Sequence, residues 1–105
     1  MVMETKTGEG RAPIGTRLFS LGQIVSTPGA LAVMRESDQS PADFIGRHLL
    51  GDWGELCEED RLANEDALRE NLRVMSVYRT HGGEKLWVIT EATRSVTTIL
   101  LPSEY

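Results

Sequence analysis

The sequence predicts an α+β domain, with two to three N-terminal helices packed on a C-terminal three-stranded antiparallel meander. Three observations carry this reading. Thr27-Pro28 and Ser40-Pro41 each open an apolar stretch as a helix start does, and an acid-rich amphipathic stretch follows them. After Arg73 the apolar spacing switches from helical to a period of two. The segments of period two are joined by short turns, which favours antiparallel pairing, and such a sheet must bury one face against the helices.

Residues 1–16 alternate charges with Gly and Pro and hold few apolar side chains, so they are expected to form a disordered tail ahead of one domain over 17–105. Leu18, Phe19, Leu21, Ile24 and Val25 then make a short apolar stretch that periodicity assigns neither to a strand nor to an arm. A first helix is expected over 28–36, capped by Thr27, with Pro28 at a position where its missing N–H costs nothing. A second runs over 41–50. Ser40 caps it, Asp43 favours its first turn, Phe44, Ile45, His48 and Leu49 recur at helical spacing, and Gly51 suits a left-handed end. Asp52-Trp53-Gly54 turns the chain. A third helix over 58–72 carries acids in its first turn, the pair Glu65–Arg69, and an apolar stripe of Leu62, Ala63, Ala67, Leu68 and Leu72. Strands follow over 73–79, 85–90 and 95–101. A Gly-containing loop joins the first two, and Pro102 ends the third.

With 105 residues, 40% of them apolar and 26% charged, the chain is one domain's worth of ordinary globular composition. No apolar run approaches the roughly 18–20 residues of a membrane helix, and the N-terminal stretch lacks the apolar core of a signal peptide. The single cysteine, Cys57, has no internal disulfide partner, and the ligand pairs of a zinc site are missing. No phosphate-cradling glycine loop and no nucleophile elbow occurs, so neither metal nor cofactor is expected. These features fit a cytoplasmic protein. His48 reads as a helix residue bordering the core and Cys57 as a small cap or core residue.

The net charge of −5 is concentrated. Between Asp52 and Glu70 eight acids stand against Arg61 and Arg69, a balance of −6, which leaves the rest of the chain at +1. Such a cluster repels phosphate backbones and suits a basic protein, so direct nucleic-acid binding is not expected. The candidate partner-binding residues are Trp53, Glu55, Glu58, Glu59 and Asp60, with Trp53 either an interface anchor or a seal on the core.

The sheet offers a second candidate. Its polar residues Ser76, Tyr78, Thr90, Thr97 and Thr98 read as a half-exposed face, with Arg79, His81, Glu91 and Arg94 at the strand ends. A base, an acid and a cation are what metal-independent cleavage of RNA through its 2′-hydroxyl requires. The stretch Trp87-Val88-Ile89-Thr90 through Arg94 to Thr97-Thr98 resembles the final strands of barnase-like ribonucleases. Glu91, His81 and Arg79 or Arg94 are residues of the required types, and the resemblance takes in the stretch that holds Glu91 and Arg94. It departs from the family at Arg94, which stands where a late catalytic histidine is usual and cannot serve as a general acid at neutral pH.

A broader resemblance covers the chain from Leu18 onward. Leu21-Gly22-Gln23-Ile24-Val25, Thr27-Pro28-Gly29-Ala30-Leu31, Arg47-His48, Gly51-Asp52-Trp53-Gly54-Glu55, Glu59-Asp60, Trp87-Val88-Ile89-Thr90-Glu91-Ala92 and Thr97-Thr98-Ile99-Leu100-Leu101-Pro102 resemble a family of small uncharacterised proteins. That family is carried on bacterial plasmids and integrative elements. The resemblance implies a bacterial setting on mobile DNA and no activity. Some relatives are labelled restriction-system methyltransferase subunits, but this chain has neither the glycine-rich cofactor loop nor the length for that chemistry. Together these readings describe a non-enzymatic accessory or interaction protein that meets a basic protein through an acidic helix; the alternative is a ribonuclease on the sheet.

Overall fold

The computed structural model describes residues 18–105; the tail expected over 1–16 lies outside them. The elements run β1 (Gln23–Ser26), α1 (Pro28–Glu36), α2 (Pro41–Leu49), α3 (Glu58–Glu70), β2 (Val74–Arg79), β3 (Lys85–Thr90) and β4 (Val96–Leu100). A 3₁₀ turn over Pro102–Glu104 follows. The α+β class is as expected, and the sheet is not. It has four strands in the order β1-β4-β3-β2, and it is mixed: β1 lies parallel to β4, with Gln23 opposite Val96, while β4, β3 and β2 are antiparallel. The physical reason lies in the stretch that periodicity left undecided. Ile24 drops into the core at 2% exposure, and β1 completes the hydrogen bonding of β4, which would otherwise be an edge. Gly22 makes the approach possible. Its φ is +66°, and a Cβ there would lie 2.3 Å from the Ser95 carbonyl carbon. The crossover that a parallel pair demands is supplied by every element between β1 and β4.

Alternation along the strands gives the sheet two unequal faces. On the inner face Val74, Ser76, Leu86, Val88, Thr90, Thr97 and Ile99 are all fully buried, beneath Ala30 and Met34 of α1 and Phe44, Ile45 and His48 of α2. On the outer face Met75, Trp87, Val96 and Thr98 remain partly exposed. The helix starts follow the sequence signals. Thr27 Oγ1 accepts from the Ala30 N–H at 3.2 Å, and the Asp43 carboxylate accepts from the Ser40 N–H at 2.9 Å. The N-terminus of α1 is also closed from far along the chain: Glu104 accepts from the Gly29 N–H at 3.0 Å, the Leu101 N–H at 2.9 Å and the Thr27 hydroxyl. The Thr27 bond first, then the backbone N–H groups, hold the Glu104 carboxyl below its usual range.

Helix α3 turns a different side inward from the one its apolar stripe predicts. Ala67 is buried and Leu68 half-buried, but Leu62 and Leu72 are 57% and 52% exposed, and Ala63 is exposed. A polar residue sets the orientation. The Asn64 carboxamide donates to the Met75 carbonyl at 2.7 Å and accepts from the Met75 N–H at 3.1 Å, pairing with the outer edge of β2 as a peptide group would. Next along that edge, the Val77 N–H donates to the Trp53 carbonyl at 3.0 Å, and the Glu55 N–H donates to the Val77 carbonyl at 2.7 Å. The turn expected at Asp52-Trp53-Gly54 is therefore also a one-residue bridge to β2. Gly54 (φ +76°) is needed there, since a Cβ would fall 1.9 Å from the Val77 carbonyl oxygen. An edge strand left bare is a template for pairing with other chains; here side chain and loop cover it.

Replacing Asn64 by Leu keeps most of the volume and strands both Met75 backbone groups. Urea unfolding should report a loss of about 1–3 kcal/mol, the cost of buried polar groups left unpaired. Sedimentation at rising concentration should show self-association through the uncovered edge. Unchanged stability together with a strictly monomeric variant would mean that Asn64 does not guard β2.

Candidate functional site

Of the partner-binding residues predicted from sequence, Trp53 and Glu58 share one feature, and Glu55, Glu59 and Asp60 are not among the residues that line it. Between α3 and the 51–55 segment runs a groove of about 630 Å³, lined by Gly51, Trp53, Glu58, Arg61, Leu62, Glu65, Asp66 and Arg69. Trp53 is its floor and not a protruding anchor. The ring is 3% exposed, with its centroid 5.9 Å from that of His48 and 6.4 Å from that of Phe19. The groove's bases have internal work: Arg61 donates to the Gly54 carbonyl at 3.1 Å, and Arg69 pairs with Asp66. Glu55 pairs with Arg79 at 3.2 Å. Glu58, Glu59, Asp60 and Glu65 are exposed and make no ion pair among the described residues. Cys57 is exposed at the start of α3, and its thiol makes no capping bond.

The four residues of the ribonuclease reading are divided between the two ends of the sheet. Arg79 ends β2, where its guanidinium also donates to the Gly83 carbonyl at 2.9 Å. His81 lies in the loop between β2 and β3, and its N–H donates to the Gln39 side chain at 2.8 Å. Glu91 and Arg94 lie in the turn after β3, about 20 Å away by the length of a six-residue strand. Arg94 acts as a helix cap. It donates to the Leu72 carbonyl at 2.6 Å and the Ala67 carbonyl at 3.1 Å, closing the C-terminal end of α3. No atom of a substrate could meet His81 and Glu91 together. The four do not form one site.

Of the polar strand residues expected on a half-exposed face, Thr98 is partly exposed on the outer side, whereas Ser76, Tyr78, Thr90 and Thr97 point into the core. Ser76, Thr90 and Thr97 are fully buried, and they meet a histidine that is also fully buried. His48 Nδ1 lies 2.6 Å from Ser76 Oγ and Nε2 lies 2.9 Å from Thr90 Oγ1. Thr90 and Thr97 hydroxyls are 2.7 Å apart, and Thr97 donates to the Leu21 carbonyl at 2.8 Å. Each hydroxyl has one proton, so the carbonyl at the end fixes the whole order. Thr97 gives its proton to Leu21, so Thr90 must give its own to Thr97. Thr90 Oγ1 then accepts from His48 Nε2–H, and the bare Nδ1 accepts from Ser76. The imidazole is neutral, and burial drives its pKa down to about 3. The edges of Phe19 and Trp53 pack around it. All four side chains are closed off from solvent, and the cluster organises the fold.

Sequence reading placed His48 at the core but paired it with nothing. The usable signal was register: Ser76, Thr90 and Thr97 share the inward parity of Val88 and Ile99, so three hydroxyls required a buried partner. Among the described residues no group of three or more His, Cys, Asp or Glu could hold a metal ion, and no helix is long and apolar enough to cross a membrane. Comparison with known proteins finds no matching family model, no matching curated protein and no matching solved structure.

The low pKa of His48 has a defined sign. Below about pH 6.5 the unfolded chain binds a proton that the folded chain refuses until about pH 3, so stability falls as pH drops through that window. The limiting slope is about 1.4 kcal/mol per pH unit. Urea unfolding at pH 7 and pH 5 should show a loss of about 1.5–2 kcal/mol, before carboxylates titrate. In His48→Gln this interval should be nearly flat; an equal loss in the variant would place the acid sensitivity elsewhere.

Proposed function

We propose that this chain is a non-catalytic interaction module, carried on bacterial mobile DNA and acting in the cytoplasm, that docks a basic protein against α3. The observation that carries the proposal is Leu62. The helical pattern assigns it to the core, yet it stands 57% exposed on the rim of the Trp53 groove, beside Glu58, Glu65 and Asp66. Leu50 and Leu18, 52% and 46% exposed, flank the same groove through Gly51, whose Cβ position lies 2.9 Å from the Leu18 side chain. Exposed apolar side chains beside acids, of which Glu58 and Glu65 make no ion pair among the described residues, are what a docking surface is built from. Carboxylates steer a basic partner inward, and the leucines supply desolvated area. The family resemblance supports the genetic setting.

Of the five residues singled out by sequence, Glu58 lines the groove, and Glu59 and Asp60 are exposed next to it in the first turn of α3. Trp53 supports it from below. Glu55 is held by Arg79 and serves the fold. The charge of the acidic helix therefore works together with Leu62 and not with an exposed tryptophan.

Affinity capture from host lysate, followed by binding of the purified captured partner, tests the reading. Leu62→Asp and the triple variant Glu58→Gln, Glu59→Gln, Asp60→Asn should each weaken binding at least about tenfold, as truncation at a docking centre and loss of steering charge do. The helical circular dichroism of both should stay that of the unaltered chain. Binding unchanged in both variants would remove α3 from the interface.

A further inference from the structure

The outer face of the sheet carries a chemistry that the net charge of the chain conceals, and we infer that this face binds single-stranded nucleic acid. By strand parity it holds Arg73, Met75, Val77 and Arg79 along β2 and its approach, Lys85, Trp87 and Ile89 along β3, and Val96, Thr98 and Leu100 along β4; Val77, Ile89 and Leu100 are buried, and the rest are half-buried or exposed. No acid falls on this face within the strands; Glu91 stands just past the end of β3. Two of the chain's six aromatic residues meet here. Trp87, half-buried on central β3, meets the ring of Tyr105 edge-on at 5.4 Å, and Tyr105 is 69% exposed. The Arg73 guanidinium lies 5.9 Å from the centroid of that ring and donates to its hydroxyl at 2.8 Å.

Three features select a single strand over other occupants. Tyr105, exposed beside half-buried Trp87, offers stacking to unpaired bases, and such stacking tolerates any base because every base has a π-face. The cations sit at the two ends of the aromatic pair. Arg79 and Lys85 are opposite one another at one end of the ribbon, and Arg73 lies six residues back along β2, about 20 Å away by strand rise. Arg79 is taken by Glu55, so Arg73 and Lys85, which make no ion pair among the described residues, are the phosphate contacts. A duplex keeps its bases stacked on one another and could offer only phosphates to this surface. Glu58, Glu65 and Asp66 of α3 line the groove, so the two surfaces draw on different residues and their ligands have opposite charge.

The test uses the full chain and a fluorescently labelled oligonucleotide of mixed sequence, as single-stranded RNA, single-stranded DNA and duplex DNA, at low salt. Single strands should saturate at protein concentrations on the order of 10–100 µM, quench tryptophan fluorescence, and bind at least tenfold more tightly than the duplex. Whether RNA or DNA binds better reads the contribution of the 2′-hydroxyl. Raising the salt should weaken binding with a log–log slope of about −1.4, the value for two phosphate contacts. Arg73→Glu with Lys85→Glu should abolish saturation, and Tyr105→Ala should cost about fivefold or more, as loss of one stacked base does. These three side chains are exposed, so the fold is kept, as circular dichroism will verify. In Trp87→Phe the quench should vanish while the binding of the labelled strand persists, since buried Trp53 does not report. The α3 triple variant should bind single strands as the unaltered chain does, which separates this inference from the docking surface on α3. Absent binding at about 100 µM, equal affinity for the duplex, or binding indifferent to the double charge reversal would each overturn it.

Discussion

A single uncharged imidazole ties five separated stretches of the chain together. His48 reaches down from α2 to Ser76 on β2 and Thr90 on β3, and through Thr90 to Thr97 on β4 and the Leu21 carbonyl just before β1. Each bond in this row depends on its neighbour, since every hydroxyl has one proton to give and the direction is set at the Leu21 end. A buried polar row of this kind is costly when incomplete and specific when complete. An apolar side chain at position 48 would fill the space yet leave the buried Ser76 hydroxyl without its acceptor and Thr90 without the N–H it accepts. The network therefore fixes which turn of α2 lies over which pair of strands, a registration that leucine and valine contacts enforce only loosely.

The same architecture separates charge. Helix α3 is held against the β2 edge by Asn64, with Arg94 at its end and Arg61 reaching the Gly54 carbonyl. Its polar inner face leaves Leu62 outside among acids. The strands keep arginine and lysine at the ends of the other face, beside Trp87 and Tyr105. A net charge of −5 describes neither surface. Fields at protein surfaces decay within about 8–10 Å at ordinary salt, so ligands of opposite sign can approach the two sides independently.

Much of the secondary structure was legible because it rests on local chemistry. Proline at the first turn, Thr27 and Asp43 at the caps, and the change of period after Arg73 are short-range signals, and the helix starts and strand bounds lie within a residue or two of where those signals place them. What escaped was set by partners far along the chain. The strand Gln23–Ser26 is defined by β4, some seventy residues later. The orientation of α3 is defined by the Met75 backbone, which a hydrophobic stripe cannot anticipate. For the candidate site the composition of α3 was visible, but the exposure of Leu62 and the removal of Glu55 by Arg79 were not, because both follow from tertiary pairing. The catalytic grouping failed for the opposite reason. Residue types at strand ends are easily gathered on paper, and an antiparallel ribbon places alternate ends far apart.

The parallel pairing of β1 with β4 sets an order of assembly. Closing a loop of about seventy residues carries an entropy cost that grows only slowly with length, but on a ribosome the partner does not yet exist. Until β4 emerges, Ile24 has no strand beside it and Leu21 has no hydroxyl to receive, so the half-row below His48 waits open. The β2–β3 hairpin and α3 can form from neighbours alone. The sheet and the N-terminus of α1 are thus both completed by residues more than seventy positions further along the chain, β4 beside β1 and Glu104 against Gly29.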